Sequence, residues 1–148
     1  MSRWPTYLAF AAFVGAGLGC GSGRHSSAGF RLPDDGDAER GKAAFVALGC
    51  HGCHRVSGVD LPQATAQLSA PVALGGEVDK EMTDGYLVTS ITYPSHRLAH
   101  YPKDQIAIGG MSRMPLYTDR LTVRQLTDLV EFLQSRYTRR LLPATHMY

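Results

Sequence analysis

Two cysteines and a histidine occupy three of five consecutive positions near the middle of the chain. Between Leu48 and Val56 the sequence reads LGCHGCHRV, so two residues separate Cys50 from Cys53 and His54 follows directly. This C-x-x-C-H spacing is the signature of covalent attachment of a c-type haem. Each thiol can add to one vinyl group of the porphyrin, and the neighbouring imidazole is then held beneath the iron as an axial ligand. The cluster therefore predicts one covalently bound haem c.

Other chemistries also use cysteines at this spacing. A zinc site needs four protein ligands, and no second Cys/His pair follows the cluster. A thioredoxin-type dithiol requires a β-α-β setting, whereas the segment before Cys50 has a helical pattern. A disulfide between Cys50 and Cys53 stays open as an alternative, because the export signal described below leads to an oxidising compartment. Haem attachment is the favoured interpretation, with a disulfide or a metal as the alternative.

The elements around this cluster are predicted to be helices. The first begins at Asp37, a suitable N-cap, and ends at Gly49. A second helix is predicted from Asp84, and Pro94 closes it. One face of the first helix carries small or apolar residues at intervals of three and four, namely Gly41, Ala44, Phe45 and Leu48.

The last helix has the clearest signal. Thr122 and Gln125 have the spacing of a capping box, and an apolar stripe follows them as far as Tyr137. No segment between the helices shows the alternation of a strand, so the connections are predicted to be long loops. A small domain with so much loop needs a staple or a cofactor as part of its core, and a haem would supply one.

With these motifs in this order, the chain resembles the class I monohaem cytochrome c family over about residues 37–137. The segments that carry the resemblance are GKAAFVALGCHGCHRV, SAPVALGG, YLVTSITYPSHRLA and SRMPLYTDRLTVRQLTDLVEFLQSRY. The resemblance implies the all-α cytochrome c fold, with about four short helices and long loops around one covalent haem. It also implies a close crossing of the first and last helices, at which Gly41 and Phe45 meet Leu129, Phe132 and Leu133.

The resemblance also implies a second axial ligand for the iron. Met114, followed by Pro115, matches the methionine loop of the family, and the proline would stiffen the backbone that presents the thioether. Met111 lies three residues earlier and is a competing ligand. A bis-histidine site is the other alternative, with His51, His96 and His100 as its candidates.

Supporting residues follow from the same resemblance. Pro71 matches the proline whose carbonyl accepts a hydrogen bond from the second ring nitrogen of the proximal histidine, and Pro62 is an alternative for this role. Arg113 is the first candidate for binding the haem propionates. Further candidates for propionate binding are Arg97, Tyr93 and Tyr101, and a solvated surface position is an equally good reading of all four.

The N-terminal residues have the order of an export signal. One Arg near the start precedes an apolar stretch from Tyr7 to Leu18, which is shorter than a mature transmembrane helix. Residues 1–19 are therefore predicted to be a signal peptide. Cys20 resembles the lipidated cysteine of bacterial lipoproteins, and a plain signal peptide or an uncleaved tether is the alternative. The predicted order is completed by a linker over 20–36, a cytochrome c domain over 37–138 and a tail over 139–148.

Composition and charge limit the possible functions. The 148 residues include 44% hydrophobic and 19% charged residues, which suits one folded domain, and the net charge of +2 gives no basis for nucleic-acid binding. If both axial positions are filled, the protein is not an enzyme but a one-electron carrier with redox proteins or respiratory complex subunits as partners. It would face the periplasm or the cell exterior, attached to the membrane through the lipid on Cys20. The alternative is a haem enzyme or gas sensor with an open sixth iron position.

Overall fold

Residues 30–63 and 71–140 are the part of the chain that the computed structural model describes. The signal peptide 1–19, the lipidation candidate Cys20, the linker residues up to 29 and the tail beyond 140 lie outside it. The predictions made for those residues therefore stay predictions.

Within these residues, four helices and three pairs of short strands form the fold. The helices are α1 (Ala38–Ala47), α2 (Asp84–Thr92), α3 (Lys103–Ile106) and α4 (Val123–Gln134). The strands are β1 (His54–Val56), β2 (Val72–Leu74), β3 (Gly76–Val78), β4 (Ala107–Ile108), β5 (Met111–Ser112) and β6 (Tyr137–Arg139). β1 pairs with β2 and β3 with β6 in parallel, whereas β4 and β5 are antiparallel. The predominantly helical architecture with about four short helices is thus confirmed, and the strand pairs were not predicted.

The helices begin where their capping residues are. The Asp37 carboxylate accepts a hydrogen bond from the Arg40 N–H at 2.7 Å, and Thr122 and Gln125 form the predicted capping box. α4 ends at Gln134, so the prediction that its stripe continues to Tyr137 is wrong. Tyr137 instead lies in β6, which pairs with β3. This pairing begins with the hydrogen bond from the Gly76 N–H to the Arg136 carbonyl at 2.8 Å. None of the described helices is long and apolar enough to cross a bilayer.

α1 and α4 cross at close range, as predicted. A Cβ atom on Gly41 would lie 2.6 Å from the carbonyl carbon of Asp128 and 2.6 Å from the Cβ of Phe132, so only glycine fits. Beyond this point the rings of Phe45 and Phe132 meet edge to face, with centroids 5.6 Å apart. Leu129 and Leu133 belong to the same buried cluster. The crossing fixes the end of α1 from which the C-x-x-C-H segment continues.

A buried carboxylate strengthens the crossing. Asp128 on α4 is 3% exposed and accepts hydrogen bonds from the Asp37 N–H at 2.9 Å and from Arg40 Nε and Nη2 at 2.9 and 2.8 Å. The Arg40 guanidinium holds the pKa of Asp128 below its usual value, against the opposing effect of burial. The charged carboxylate thus ties the start of α1 to the middle of α4.

The folded domain begins before the predicted boundary at residue 37. Leu32 is 9% exposed and belongs to the hydrophobic core. Arg124 at the start of α4 donates to the Asp35 carboxylate at 2.7 Å and to its carbonyl at 3.2 Å. Residues 30–36 therefore pack on the domain, through the buried side chain of Leu32 and the contacts between Asp35 and Arg124.

Gly41→Ala is expected to lower the free energy of unfolding by about 3 kcal/mol, because the new methyl group would collide with the backbone of α4. Gly85→Ala is the matched control, since a Cβ there would lie 3.6 Å from the Cβ of Phe30, an ordinary contact. The control is expected to gain about 0.5–1 kcal/mol from its better helix propensity. Urea unfolding followed by circular dichroism measures both, and equal stabilities of the two variants would contradict the described crossing.

Candidate functional site

The C-x-x-C-H segment turns sharply as it leaves α1. Gly49 adopts a left-handed conformation with φ of 74°, and the chain then forms a 3-10 turn over Cys50–Gly52. Cys50 and Cys53 are both free thiols and both half-buried. Burial raises the pKa of Cys50, and the nearby Tyr117 hydroxyl partly offsets this effect. The turn thus presents two half-buried thiols, and Cys50 packs against the core.

His54 opens β1 directly after the turn. Its ring faces Phe45, with centroids 6.4 Å apart. Burial lowers the pKa of His54, an effect that the backbone of Val72 partly opposes. The imidazole is therefore neutral at neutral pH, which is the form that can bind a metal.

The segment that begins at Pro71 lies alongside His54. β1 and β2 pair His54 with Val72, and the Val72 N–H donates to the Cys53 carbonyl at 2.9 Å. The His54 Nδ1 atom is buried and has no hydrogen-bond partner among the described residues. The predicted bond from this nitrogen to the Pro71 carbonyl is thus not formed in the structure, although the proline is next in sequence to the partner of His54. The role of Pro71 stays a prediction, and so does the alternative, the exposed Pro62.

Met114 lies in a loop that is tied down on its N-terminal side. The Met114 N–H donates to Ser112 Oγ at 3.1 Å, and the Ser112 N–H donates to Ser95 Oγ at 3.1 Å. The Arg113 N–H donates to the Ile106 carbonyl at 2.8 Å. Met114 is half-buried, whereas the competing Met111 is 60% exposed at the β4–β5 turn. Of the two methionines, Met114 is therefore the better placed to point a thioether inward.

Tyr117 joins this loop to the C-x-x-C-H segment, a link that the sequence did not predict. Its hydroxyl donates to the Leu48 carbonyl at 3.2 Å and lies near Cys50. Tyr117 is 7% exposed, and burial together with the neighbouring Cys50 raises its pKa to about 12. One indication of this link was present in the sequence, a tyrosine three positions after Met114, because a tyrosine can bury its ring and still donate a hydrogen bond from its hydroxyl.

The remaining predicted residues lie near the surface. The Tyr101 hydroxyl accepts from the Ala73 N–H at 3.1 Å, and Arg113 is exposed, with a long contact of 3.5 Å from Nη1 to the Asp104 carbonyl. The rings of Tyr93 and His96 lie tilted against each other, with centroids 6.0 Å apart. Exposed side chains also include Arg97 and His100, whereas His51 is half-buried. Propionate binding and bis-histidine ligation stay predictions for these residues.

The donor set fits a covalent haem. Two half-buried thiols lie three positions apart in a tight turn, a neutral imidazole follows them, and a separate loop carries a half-buried methionine. No group of three or more His, Cys, Asp or Glu side chains within residues 30–63 and 71–140 could hold a metal ion. A zinc site would therefore lack its other ligands among these residues.

Comparison with known proteins identifies the family. The family model described as "Cytochrome c" matches residues 38–136, which is about two thirds of the chain and includes the whole of the site described above. No curated protein and no solved structure matches the chain.

Proposed function

The chain belongs to the cytochrome c family and carries electrons on a covalently bound haem c, and we propose that His54 and Met114 are the two axial ligands of its iron. In this proposal Cys50 and Cys53 form the two thioether bonds. The protein then transfers single electrons between redox proteins rather than converting a substrate, because both axial positions are filled.

The observation that carries the proposal is the way the structure holds the two ligand candidates. His54 is neutral and half-buried, and Met114 is half-buried in a loop anchored at Ser112 and Arg113. Because the Tyr117 hydroxyl donates a hydrogen bond to the Leu48 carbonyl, the Met114 loop is also linked to the turn that carries Cys50. Both ligands are therefore presented from elements that are connected to the haem attachment turn.

The haem, when bound, supplies an iron that alternates between the ferrous and ferric states. The chain's own residues decide which of these states is favoured. The thioether of Met114 and the imidazole of His54 are neutral and add no negative charge at the iron. They therefore favour the ferrous state more than an anionic ligand would. The apolar cluster that includes Phe45 and Val56 excludes water on the histidine side and acts in the same direction.

Absorption spectroscopy of the purified haem protein tests the ligation. We expect the ferric form to show the band characteristic of iron–methionine ligation, and the reduced form to bind carbon monoxide slowly. If the band is absent and carbon monoxide binds rapidly, the sixth position is open, and the haem enzyme or gas sensor takes the place of the carrier.

The proposed location is outside the cytoplasm, on a membrane. The order of residues 1–20, with an Arg, an apolar stretch and then Cys20, supports export followed by lipidation at Cys20. The partners would be redox proteins that dock through a small, briefly held contact, or the other subunits of a respiratory complex. Co-purification after mild detergent extraction distinguishes these two arrangements.

Cys20→Ser is expected to move the protein from the membrane fraction to the soluble fraction, because the acyl chains would have no attachment point. Ser22→Ala is the matched control and should stay with the membrane. Sedimentation followed by haem absorption measures both. If Cys20→Ser still sediments, the anchor is the apolar stretch from Tyr7 to Leu18, and if the wild type is soluble, both kinds of anchor are ruled out.

A further inference from the structure

The loop that carries Met114 is held unequally on its two sides. On the N-terminal side, hydrogen bonds from the backbone N–H groups of Ser112 and Arg113 reach Ser95 and Ile106. On the C-terminal side, Pro115 has no N–H to donate. There the link to the haem attachment turn is the side chain of Tyr117, whose hydroxyl donates to the Leu48 carbonyl across 69 positions of sequence.

This hydrogen bond is partly buried. Tyr117 is 7% exposed and the accepting Leu48 is half-buried, so water has limited access to the pair. The acceptor, Leu48, is the C-cap of α1 and precedes Cys50 by two residues. The bond therefore connects a point three residues after Met114 with a point two residues before the first haem-attachment cysteine.

We propose that Tyr117 is a positioning residue for the iron ligand Met114. Its hydrogen bond to the Leu48 carbonyl, called the latch below, holds the Met114 loop against the attachment turn and so keeps the thioether on the iron. The inference rests on the proposed ligation by Met114. Without the hydroxyl, the loop keeps its ties at Ser112 and Arg113 and the packing of the Tyr117 ring, but it loses the hydrogen bond that fixes it to the attachment turn. Met114 would then be held less firmly as an iron ligand, and the overall fold is retained because the ring stays packed.

Tyr117→Phe in the full-length haem protein tests the latch, since it removes the hydroxyl and keeps the ring. We expect carbon monoxide to bind the reduced variant about fivefold faster than the wild type, the change in open fraction that a net hydrogen bond of about 1 kcal/mol would produce. The ferric iron–methionine band should also disappear at a lower temperature than the helical circular dichroism signal. In the wild type the two signals should be lost together.

Tyr137→Phe is the matched control. Tyr137 is a half-buried tyrosine that packs against the hydrophobic core from β6, an element paired with β3 and not with the Met114 loop. The control should keep the carbon monoxide binding rate of the wild type. Equal rates in wild type and Tyr117→Phe would overturn the latch, as would equal increases in the two variants, which would indicate a general loss of stability. A wild type without the iron–methionine band would instead overturn the ligation by Met114, and the latch with it.

Discussion

Cys50→Ala and Cys53→Ala are each expected to leave less than about a tenth of the wild-type amount of mature haem protein. Each change removes one thioether, and by analogy with the loss of other covalent links this costs about 3 kcal/mol. The chain has little apolar core to compensate. Outside the main cluster, the buried apolar side chains on the Met114 side of the described domain are Ile106 and Tyr117, so this half of the domain depends on the cofactor for packing.

Mass spectrometry of the intact chain measures the outcome. The wild type should carry one haem, and what remains of each cysteine variant should carry a haem with a single thioether bond. His51→Ala is the control, because His51 lies between the cysteines and its buried Nδ1 atom has no hydrogen-bond partner among the described residues. It should keep the haem. A wild-type mass without haem would contradict the assigned cofactor.

Local sequence signals were sufficient for the helices that position the site. The capping side chains of Asp37 and Thr122 form the hydrogen bonds that their types predict. The C-x-x-C-H motif is likewise a local signal, because its chemistry is contained in five consecutive residues. These features could be predicted because each depends on residues within one or two helical turns of sequence. The close approach at Gly41 joins distant residues of α1 and α4, and it was expected from the resemblance to the family.

The features that were missed depend on contacts between distant parts of the chain. The helical pattern of α4 did not show that Tyr137 would leave it, because the competing partner is Gly76 in β3. The strands have two or three residues each, too few for alternation to be recognised. Leu32 lies in a segment that is mostly polar, so its sequence neighbourhood did not indicate that it would be buried against α4. Tyr117 and Leu48 are likewise brought together by the fold, so their hydrogen bond could not be predicted from either neighbourhood alone.

Met114→Ala is expected to keep the haem attached and to lower its reduction potential by on the order of 0.2 V, about a quarter of the roughly 0.8 V range that axial ligands span. The attachment should survive because Cys50, Cys53 and His54 are unchanged. The potential should fall because the neutral sulfur, which favours the ferrous state, is replaced by water or hydroxide. The reduced variant should bind carbon monoxide rapidly, since the sixth position no longer has a protein ligand. Potentiometric titration and carbon monoxide binding measure the two effects.

Met111→Ala separates the two methionines that the sequence offered as ligands. Met111 is 60% exposed and pairs with Ile108 across the β4–β5 turn, so its loss should leave the potential and carbon monoxide binding close to those of the wild type. If Met111→Ala shows the large drop and Met114→Ala does not, the ligand is Met111, and the half-buried position of Met114 serves packing alone. If neither variant changes the potential, both axial ligands are histidines. In that case His96 and His100 are the next residues to test. Both side chains are exposed, so the loop between α2 and α3 would have to fold inward for either of them to reach the iron.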